Sequence, residues 1–285
     1  MFIYKTTIFF LGVALCLGFM SISGGQGIQD PLDRLIFEEK MRLLDSLPMD
    51  ANALVSLAQS FEGTPYVAGC LERQGEEQLV VNLRALDCWT FVEQVLALQL
   101  AHSGAGNREE NYLSALQNMR YWGGQIEGYA SRHHYFTGWL LQGEKRGHMQ
   151  LLTEEMGGKP FVKTISFMSM HPDRYPALAN KEILAQIKRV EARLSSHSWF
   201  YIPKNEIASM EHLIQEGDLI AITSYKNGLD IAHEGFALRK NGRIHLLHAS
   251  SLQKQVVVGR LPLAEYLKSQ RGQSGIMVAR WLKSE

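Results

Sequence analysis

The strongest constraint on the fold is a dipeptide in the last quarter of the chain, Asn241-Gly242, which separates two apolar runs at 231–239 and 243–250. Asn and Gly accept the positive φ angles of a two-residue type I′ turn, so this pattern is the strongest short-range signal for a β-hairpin. Such a turn places Lys240 opposite Arg243. The register of the whole hairpin follows from that pair.

Two histidines fall on one face of this predicted hairpin. Because side chains alternate between faces along a strand, His233 and Gly235 share a face with His248. The histidines are diagonal neighbours, with Cα atoms ~7–8 Å apart, and their imidazoles can reach each other. The small side chains of Gly235 and Ala237 leave room for the start of a helix to approach this face.

Cys88 lies at the start of a predicted helix and directly follows Asp87, a residue type that caps helix N-termini well. Unpaired backbone N–H groups and the helix dipole favour a thiolate there, so we expect a lowered thiol pKa. The hypothesis is that Cys88 is a nucleophile, His233 its general base and His248 the residue that orients the base. The alternative is a small buried residue at a helix start.

The first 23 residues have the pattern of a secretory signal peptide: Lys5, then a short apolar run at 8–20, then small residues. The run is shorter than the ~20 apolar residues of a membrane-spanning helix. We therefore expect 1–23 to be removed, leaving no membrane span, with an uncleaved anchor as the alternative. Export leaves Cys70 and Cys88, which either form one disulfide or remain free thiols.

The remaining pattern predicts an α+β fold. Apolar residues recur at helical spacing within 31–62 and near 180–195, whereas 105–180 shows few clear periodicities. The last third contains further short apolar runs typical of strands: 219–223, 256–258 and 275–279. Helices followed by antiparallel strands indicate this class. The sequence has no internal repeat, low-complexity tract or Pro-rich linker, so we expect one domain over 24–285. Its helical N-terminal part is predicted at about 31–62 and its core at about 63–285.

Charge and histidine spacing exclude two classes of function. The 29 basic residues balance the 29 acidic ones, so nucleic acid is not an expected partner. Five scattered histidines have no partners at metal-ligand spacing: His102, His148, His171, His197 and His212. No H-E-x-x-H motif occurs. We therefore expect neither a metal nor an organic cofactor.

A series of short motifs runs through most of the chain: GTPYVAG at 63–69, LE at 71–72, LVVNL at 79–83, DCWTFVE at 87–93, RHHYF at 132–136, FMS at 167–169, GLDIAHEG at 228–235 and HASS at 248–251. Each motif alone is weak. Together, in this order, they resemble the NlpC/P60 papain-like peptidases. They resemble more closely DUF1460, a family of N-acetylmuramoyl-L-alanine amidases.

The resemblance implies a papain-like NlpC/P60 core, in which a helix with an N-terminal cysteine packs on an antiparallel sheet. It implies a triad of Cys88, His233 and His248, the same residues that the hairpin and the helix start select. It also suggests Tyr66 near the oxyanion site, where its hydroxyl would supplement the backbone N–H of Cys88. Cys70 departs from the family pattern, in which Thr is expected.

The function that the resemblance implies is an exported, periplasmic cysteine amidase. It would cut the bond between N-acetylmuramic acid and L-alanine in peptidoglycan fragments, with a preference for anhydro-muropeptides. One alternative is the NlpC/P60 activity on γ-D-glutamyl–diamino acid bonds within the stem peptide. Another is a non-catalytic muropeptide-binding protein.

Four further residues are candidates for substrate binding. Arg132, His134 and Tyr135 could line a pocket for a sugar or a carboxylate, with a packed aromatic loop as the alternative. Glu93 lies five residues after Cys88 on the predicted helix. It could contact the ligand or serve as a buried partner for another polar group.

Overall fold

The computed structural model describes residues 27–48, 51–73 and 75–282, so the predicted signal peptide at 1–23 lies outside the described residues. The described residues form nine α-helices: α1 Pro31–Ser46, α2 Ala51–Gln59, α3 Cys88–Ser103, α4 Arg108–Arg120, α5 Phe136–Lys145, α6 Phe167–Met170, α7 Lys181–Ser196, α8 Ile207–Met210 and α9 Leu263–Ser269. Their eight strands are β1 Met149–Leu151, β2 Lys159–Pro160, β3 Phe200–Pro203, β4 Leu219–Ser224, β5 Ile231–Lys240, β6 Arg243–Ser250, β7 Gln255–Pro262 and β8 Gln273–Trp281.

The strands form one antiparallel sheet in the order β2-β3-β8-β4-β5-β6-β7, and β1 pairs with β8 outside this path. The predicted hairpin is β5–β6. Lys240 pairs with Arg243 and Phe236 with Leu247, so the predicted register is confirmed. The α+β prediction is also confirmed, because helices precede and flank an antiparallel sheet.

Different helices cover the two faces of the sheet. On one face α3 packs against β5, where the rings of Phe91 and Phe236 lie 5.7 Å apart at their centroids. On the other face Ala237 packs in an apolar core together with Leu263 and Leu267 of α9. The expectation that the helix start would approach the face of Gly235 and Ala237 is therefore wrong, since α3 covers the opposite face.

The helical segments at 31–62 and near 180–195 are present as α1, α2 and α7. The region 105–180, which shows little periodicity in sequence, nevertheless contains α4 and α5. In the part of the chain that the structure describes, no helix has the length and apolar character needed to cross a membrane.

Candidate functional site

The first turn of α3 is held by a capping box that confirms the predicted N-cap. The Asp87 carboxylate accepts a hydrogen bond from the Thr90 backbone N–H at 2.8 Å. In return, the Thr90 hydroxyl oxygen accepts one from the Asp87 backbone N–H at 2.9 Å. This reciprocal pair fixes the backbone on both sides of Cys88, the first residue of the helix.

The partly exposed Cys88 thiol lies against Glu234 of β5. The paired register of β5 and β6 ends at Phe236 and Leu247, and Glu234 lies two residues beyond that end. Both the carboxyl group and the backbone N–H of Glu234 hydrogen-bond to Cys88. The thiol therefore lies beside the part of β5 where the regular pairing with β6 has ended.

The electrostatic surroundings of Cys88 and Glu234 contradict the expectation of a lowered thiol pKa. Burial raises the pKa of Cys88 well above its usual value, and the carboxyl groups of Glu234 and Asp87 add to the increase. Burial likewise raises the pKa of Glu234 to about 8. At neutral pH both groups are therefore mainly protonated, and the predicted lowering of the Cys88 pKa is wrong.

The two hairpin histidines form a direct contact, as predicted. The Nε2 atom of His233 lies 2.5 Å from Nδ1 of His248, and the rings are nearly perpendicular at 87°. Burial lowers the pKa of His233 to about 3 and that of His248 to about 4. Both imidazoles are neutral at neutral pH, so one nitrogen donates and the other accepts.

Gly235 makes this arrangement possible, although for a different reason from the one predicted. A Cβ atom at Gly235 would lie 2.5 Å from the Leu247 carbonyl oxygen and 2.9 Å from the Cβ of His248. Glycine at this position therefore leaves room for His248, not for α3.

Two tyrosines complete the surroundings of the thiol. Burial raises the pKa of both Tyr66 and Tyr266, and the negative charge of an ionised Cys88 raises each further. The ring of Tyr266 lies 6.1 Å from that of His248. Tyr66 and Tyr266 therefore lie near Cys88, and Tyr266 also lies near His248. The catalytic roles of Cys88, His233, His248 and Tyr66 stay predictions. Sequence reasoning missed Glu234, although it follows His233 within the GLDIAHEG motif, and missed Tyr266, which lies in none of the motifs.

A cavity of about 570 Å³ opens beside the histidine pair. Its lining includes His233, His248 and Tyr266, together with residues of β7 and of the turn between β6 and β7. Its volume is typical of small-molecule sites, which span ~300–1,000 Å³. The described residues that line it include no Asp or Glu.

Glu93 lies inside the protein and pairs with Arg120 of α4. The closest nitrogen–oxygen distance in this ion pair is 2.8 Å, and both side chains are only 1% exposed. Arg120 also donates a hydrogen bond to the Val80 carbonyl oxygen. These contacts favour the partner role for Glu93 over contact with a ligand.

Arg132 is likewise occupied by internal partners. Its guanidinium lies 2.8 Å from the Glu72 carboxylate and 3.1 Å from that of Glu77. The side chain is 6% exposed. Binding of a substrate carboxylate by Arg132 stays a prediction, and it would have to compete with two carboxylates already in place.

His134 and Tyr135 are also packed within the protein. His134 stacks on Tyr129 at a centroid distance of 4.4 Å, and its Nε2 lies 2.9 Å from the Tyr129 carbonyl oxygen. The Tyr135 hydroxyl donates to Glu191 and accepts from the Met168 backbone N–H. A role for either residue in substrate binding stays a prediction.

Both described cysteines, Cys70 and Cys88, are free thiols. The Cys70 thiol donates a hydrogen bond to the Val67 carbonyl oxygen at 2.8 Å, and burial raises its pKa to about 11. Across the residues that the structure describes, no group of three or more His, Cys, Asp and Glu side chains is placed to hold a metal ion.

The fold and the site define an α+β protein that places a thiol, two imidazoles and a protonated carboxyl group at one end of an antiparallel hairpin. Residues 56–276 match the family model described as AmiA-like, N-acetylmuramoyl-L-alanine amidase-like. The chain belongs to this family. Membership supports an amidase that acts on peptidoglycan, so the resemblance to the amidases is confirmed, whereas the NlpC/P60 assignment stays a prediction.

Several solved structures are similar to the chain. An N-acetylmuramoyl-L-alanine amidase from Bacteroides uniformis is 40% identical with a TM-score of 0.77, over 81% of this chain and 99% of that one. A Bacteroides fragilis protein named as a proposed xylanase is 37% identical with a TM-score of 0.74, over 78% and 98%.

A more distant Legionella pneumophila protein, described by the DUF1460 family model, is 21% identical with a TM-score of 0.69, over 88% of this chain and 96% of that one. At this identity the likeness shows the fold alone. No curated protein matches the chain.

Proposed function

We propose that this protein is an exported cysteine amidase that hydrolyses the N-acetylmuramoyl-L-alanine bond of peptidoglycan fragments. Family membership and the 40% identical amidase from Bacteroides uniformis support the choice of bond. The observation that carries the mechanism is the placement of Cys88, at the capped start of α3, against Glu234, the residue that follows His233 of the histidine pair. The preference for anhydro-muropeptides rests on the resemblance to DUF1460.

The resting site holds a neutral thiol and a neutral imidazole. His233 removes the proton from Cys88 as the sulfur attacks the carbonyl carbon of the lactyl amide. Burial disfavours a thiolate–imidazolium pair before that step, because it raises the pKa of Cys88 and lowers that of His233. His248 holds the imidazole of His233 in place through their 2.5 Å contact.

The tetrahedral intermediate carries its negative charge on the former carbonyl oxygen. The backbone N–H of Cys88, at the positive end of the α3 dipole, and the hydroxyl of Tyr66 donate hydrogen bonds to it. Protonated His233 then gives its proton to the departing amine of L-alanine. Water hydrolyses the thioester that remains and restores the Cys88 thiol.

A glycosidase is the main alternative that the comparisons raise, because one relative is named as a proposed xylanase. Glycoside hydrolysis normally needs two carboxyl groups that flank the scissile bond. The described lining of the cavity contains no carboxylate; of the two carboxyl groups beside Cys88, Glu234 hydrogen-bonds to the thiol and Asp87 caps α3. The amidase therefore fits the site better.

The test is incubation of residues 24–285 with a purified anhydro-disaccharide tetrapeptide, followed by mass analysis of the products. We expect free anhydro-disaccharide and intact tetrapeptide. Cys88→Ala should abolish the turnover while its circular dichroism and thermal melt stay unchanged. Cys70→Ala is the matched control, because it removes the other free thiol and should leave cleavage in place.

Each other outcome selects a different function. Cleavage inside the peptide would identify an endopeptidase, and binding without cleavage would identify a muropeptide-binding protein. Release of xylose oligomers from xylan by the same preparation would support the glycosidase. Full activity in Cys88→Ala would overturn the thiol mechanism.

A further inference from the structure

Several residues that line the cavity beside the histidine pair have no role in the proposed mechanism. Gln253, Gln270 and Gln273 contribute amide groups to its wall. The Gln273 Oε1 atom is buried and has no hydrogen-bond partner among the described residues. Leu252 and Leu261 add apolar surface and are 79% and 51% exposed. Amides interleaved with exposed leucines suit a peptide, which offers both backbone polar groups and alkyl side chains.

Arg260 of β7 supplies the permanent charge of this cavity. It is exposed, and within the described part of the chain no carboxylate pairs with it. Arg243 and Arg280, by contrast, each form ion pairs with carboxylates at 3.0 Å or less. A guanidinium left free on a cavity wall is suited to bind a carboxylate through two parallel hydrogen bonds.

The direction in which the substrate lies follows from the chemistry of the leaving group. His233 must protonate the amine of the departing L-alanine, so the peptide part of the substrate lies on the side of the His233 ring. That ring lines this cavity. The peptide side of the scissile bond therefore faces Arg260.

We propose that this cavity holds the peptide part of the substrate and that Arg260 binds one of its carboxylates. The inference rests on the proposed function and makes Arg260 a residue that determines specificity. A stem peptide offers two sources of this chemistry: the α-carboxylate of its γ-linked D-glutamate and the carboxylate groups at its C-terminal end.

The experiment compares kcat/KM for wild type and Arg260→Gln on three muropeptides: one unmodified, one with the D-glutamate α-carboxylate amidated, and one amidated at the C-terminus. Loss of a charged hydrogen-bonded contact should lower kcat/KM by about 10- to 100-fold on the unmodified substrate, mainly through KM. Amidation of the carboxylate that Arg260 binds should lower kcat/KM of the wild type by a similar factor. It should lower kcat/KM of Arg260→Gln little further. The amidated substrate on which the wild type shows this loss identifies the carboxylate.

Arg189→Gln is the matched control, because it removes the same charge from the exposed side of α7. It should behave as wild type. Equal kcat/KM values for Arg260→Gln and wild type on every substrate would overturn the inference while leaving the amidase itself intact.

A binding measurement separates this inference from the proposed function. Calorimetry with the free tripeptide L-alanyl-γ-D-glutamyl-diaminopimelate needs no turnover. We expect its Kd to rise about 10- to 100-fold in Arg260→Gln. A Kd that the substitution leaves unchanged would overturn the inference even if wild type cleaved none of the three muropeptides.

Discussion

Substitution of Glu234 by Gln tests the electrostatics of the site most directly. The carboxyl group of Glu234 is 4% exposed and hydrogen-bonds to Cys88. Burial raises its pKa from 4.5 to about 8. Gln has nearly the same shape and cannot ionise, so the variant keeps the packing and removes the titration.

The magnitude follows from the linkage between proton binding and stability. Because the folded state holds the Glu234 proton up to about pH 8 and the unfolded state releases it near pH 4.5, rising pH favours unfolding across this interval. At ~1.36 kcal/mol per pH unit, the penalty reaches an upper bound of about 5 kcal/mol above pH 8 and vanishes below pH 4.5. Glu234→Gln cannot ionise at this position, so it should not lose this stability as pH rises.

The assay is urea denaturation of wild type and Glu234→Gln between pH 5 and pH 9, with the difference in unfolding free energy plotted against pH. Taking this difference removes the contribution of the buried histidines to the unfolding free energy, because both proteins have the same histidines. We expect the variant to gain stability steadily as pH rises. Glu127→Gln removes an exposed carboxylate and should give a flat difference. A flat difference for Glu234→Gln as well would refute the reasoning.

The same variant has a second consequence at the thiol. An ionised Glu234 raises the pKa of Cys88, whereas an amide N–H in its place donates to the thiolate. The pKa of Cys88, taken from the pH dependence of alkylation by iodoacetamide, should therefore be lower in Glu234→Gln. An unchanged alkylation profile would show that the two groups do not interact.

Two further substitutions test packing. Gly235→Ala should lower stability by about 1–3 kcal/mol and reduce amidase activity, because the added Cβ would lie 2.9 Å from the Cβ of His248. Gly272→Ala is the control, because its added Cβ would have no atom within 4 Å. Equal activities of Gly235→Ala and wild type would contradict the close contact. Arg120→Met should cost about 3–5 kcal/mol in urea denaturation, because it leaves the Glu93 carboxyl buried without its partner; a loss below about 1 kcal/mol would contradict that role.

The parts of the fold that sequence predicts correctly are fixed by nearby residues. Asn241 and Gly242 have φ angles of 52° and 77°, as the type I′ turn requires. That turn sets the hairpin register, and the register alone brings His233 and His248 together. The cap on α3 is equally local, since it involves Asp87 and a residue three positions later.

The helix α4 shows what periodicity alone overlooks. Its start carries a local signal, because the Asn107 side chain accepts hydrogen bonds from the backbone N–H groups of Glu109 and Glu110. Its body lacks a clear apolar stripe, since it packs along α3 and also buries the charged Arg120. The sequence analysis did not predict this helix, and the Asn107 cap is the local signal that could have indicated it.

What sequence does not predict depends on contacts between distant segments. Alternation along β5 shows that Gly235 and Ala237 share a face, but it cannot show that α9 covers this face while α3 covers the other. The capped helix start favours a thiolate at Cys88, but the fold places the carboxyl of Glu234 against it. Burial and that carboxyl both raise the pKa of Cys88, which is the direction opposite to the effect of a helix N-terminus.

The raised pKa of Cys88 also suits the compartment proposed for the protein. Thiolates, not thiols, react with oxidants and with disulfides, so a neutral resting thiol reacts slowly in an oxidising environment. Partial burial raises the pKa of both Cys88 and Cys70. In the proposed mechanism the thiolate forms when a bound substrate presents its carbonyl carbon and His233 takes the proton. Deprotonation would then be coupled to attack, which would confine the reactivity of Cys88 to the amide of the substrate.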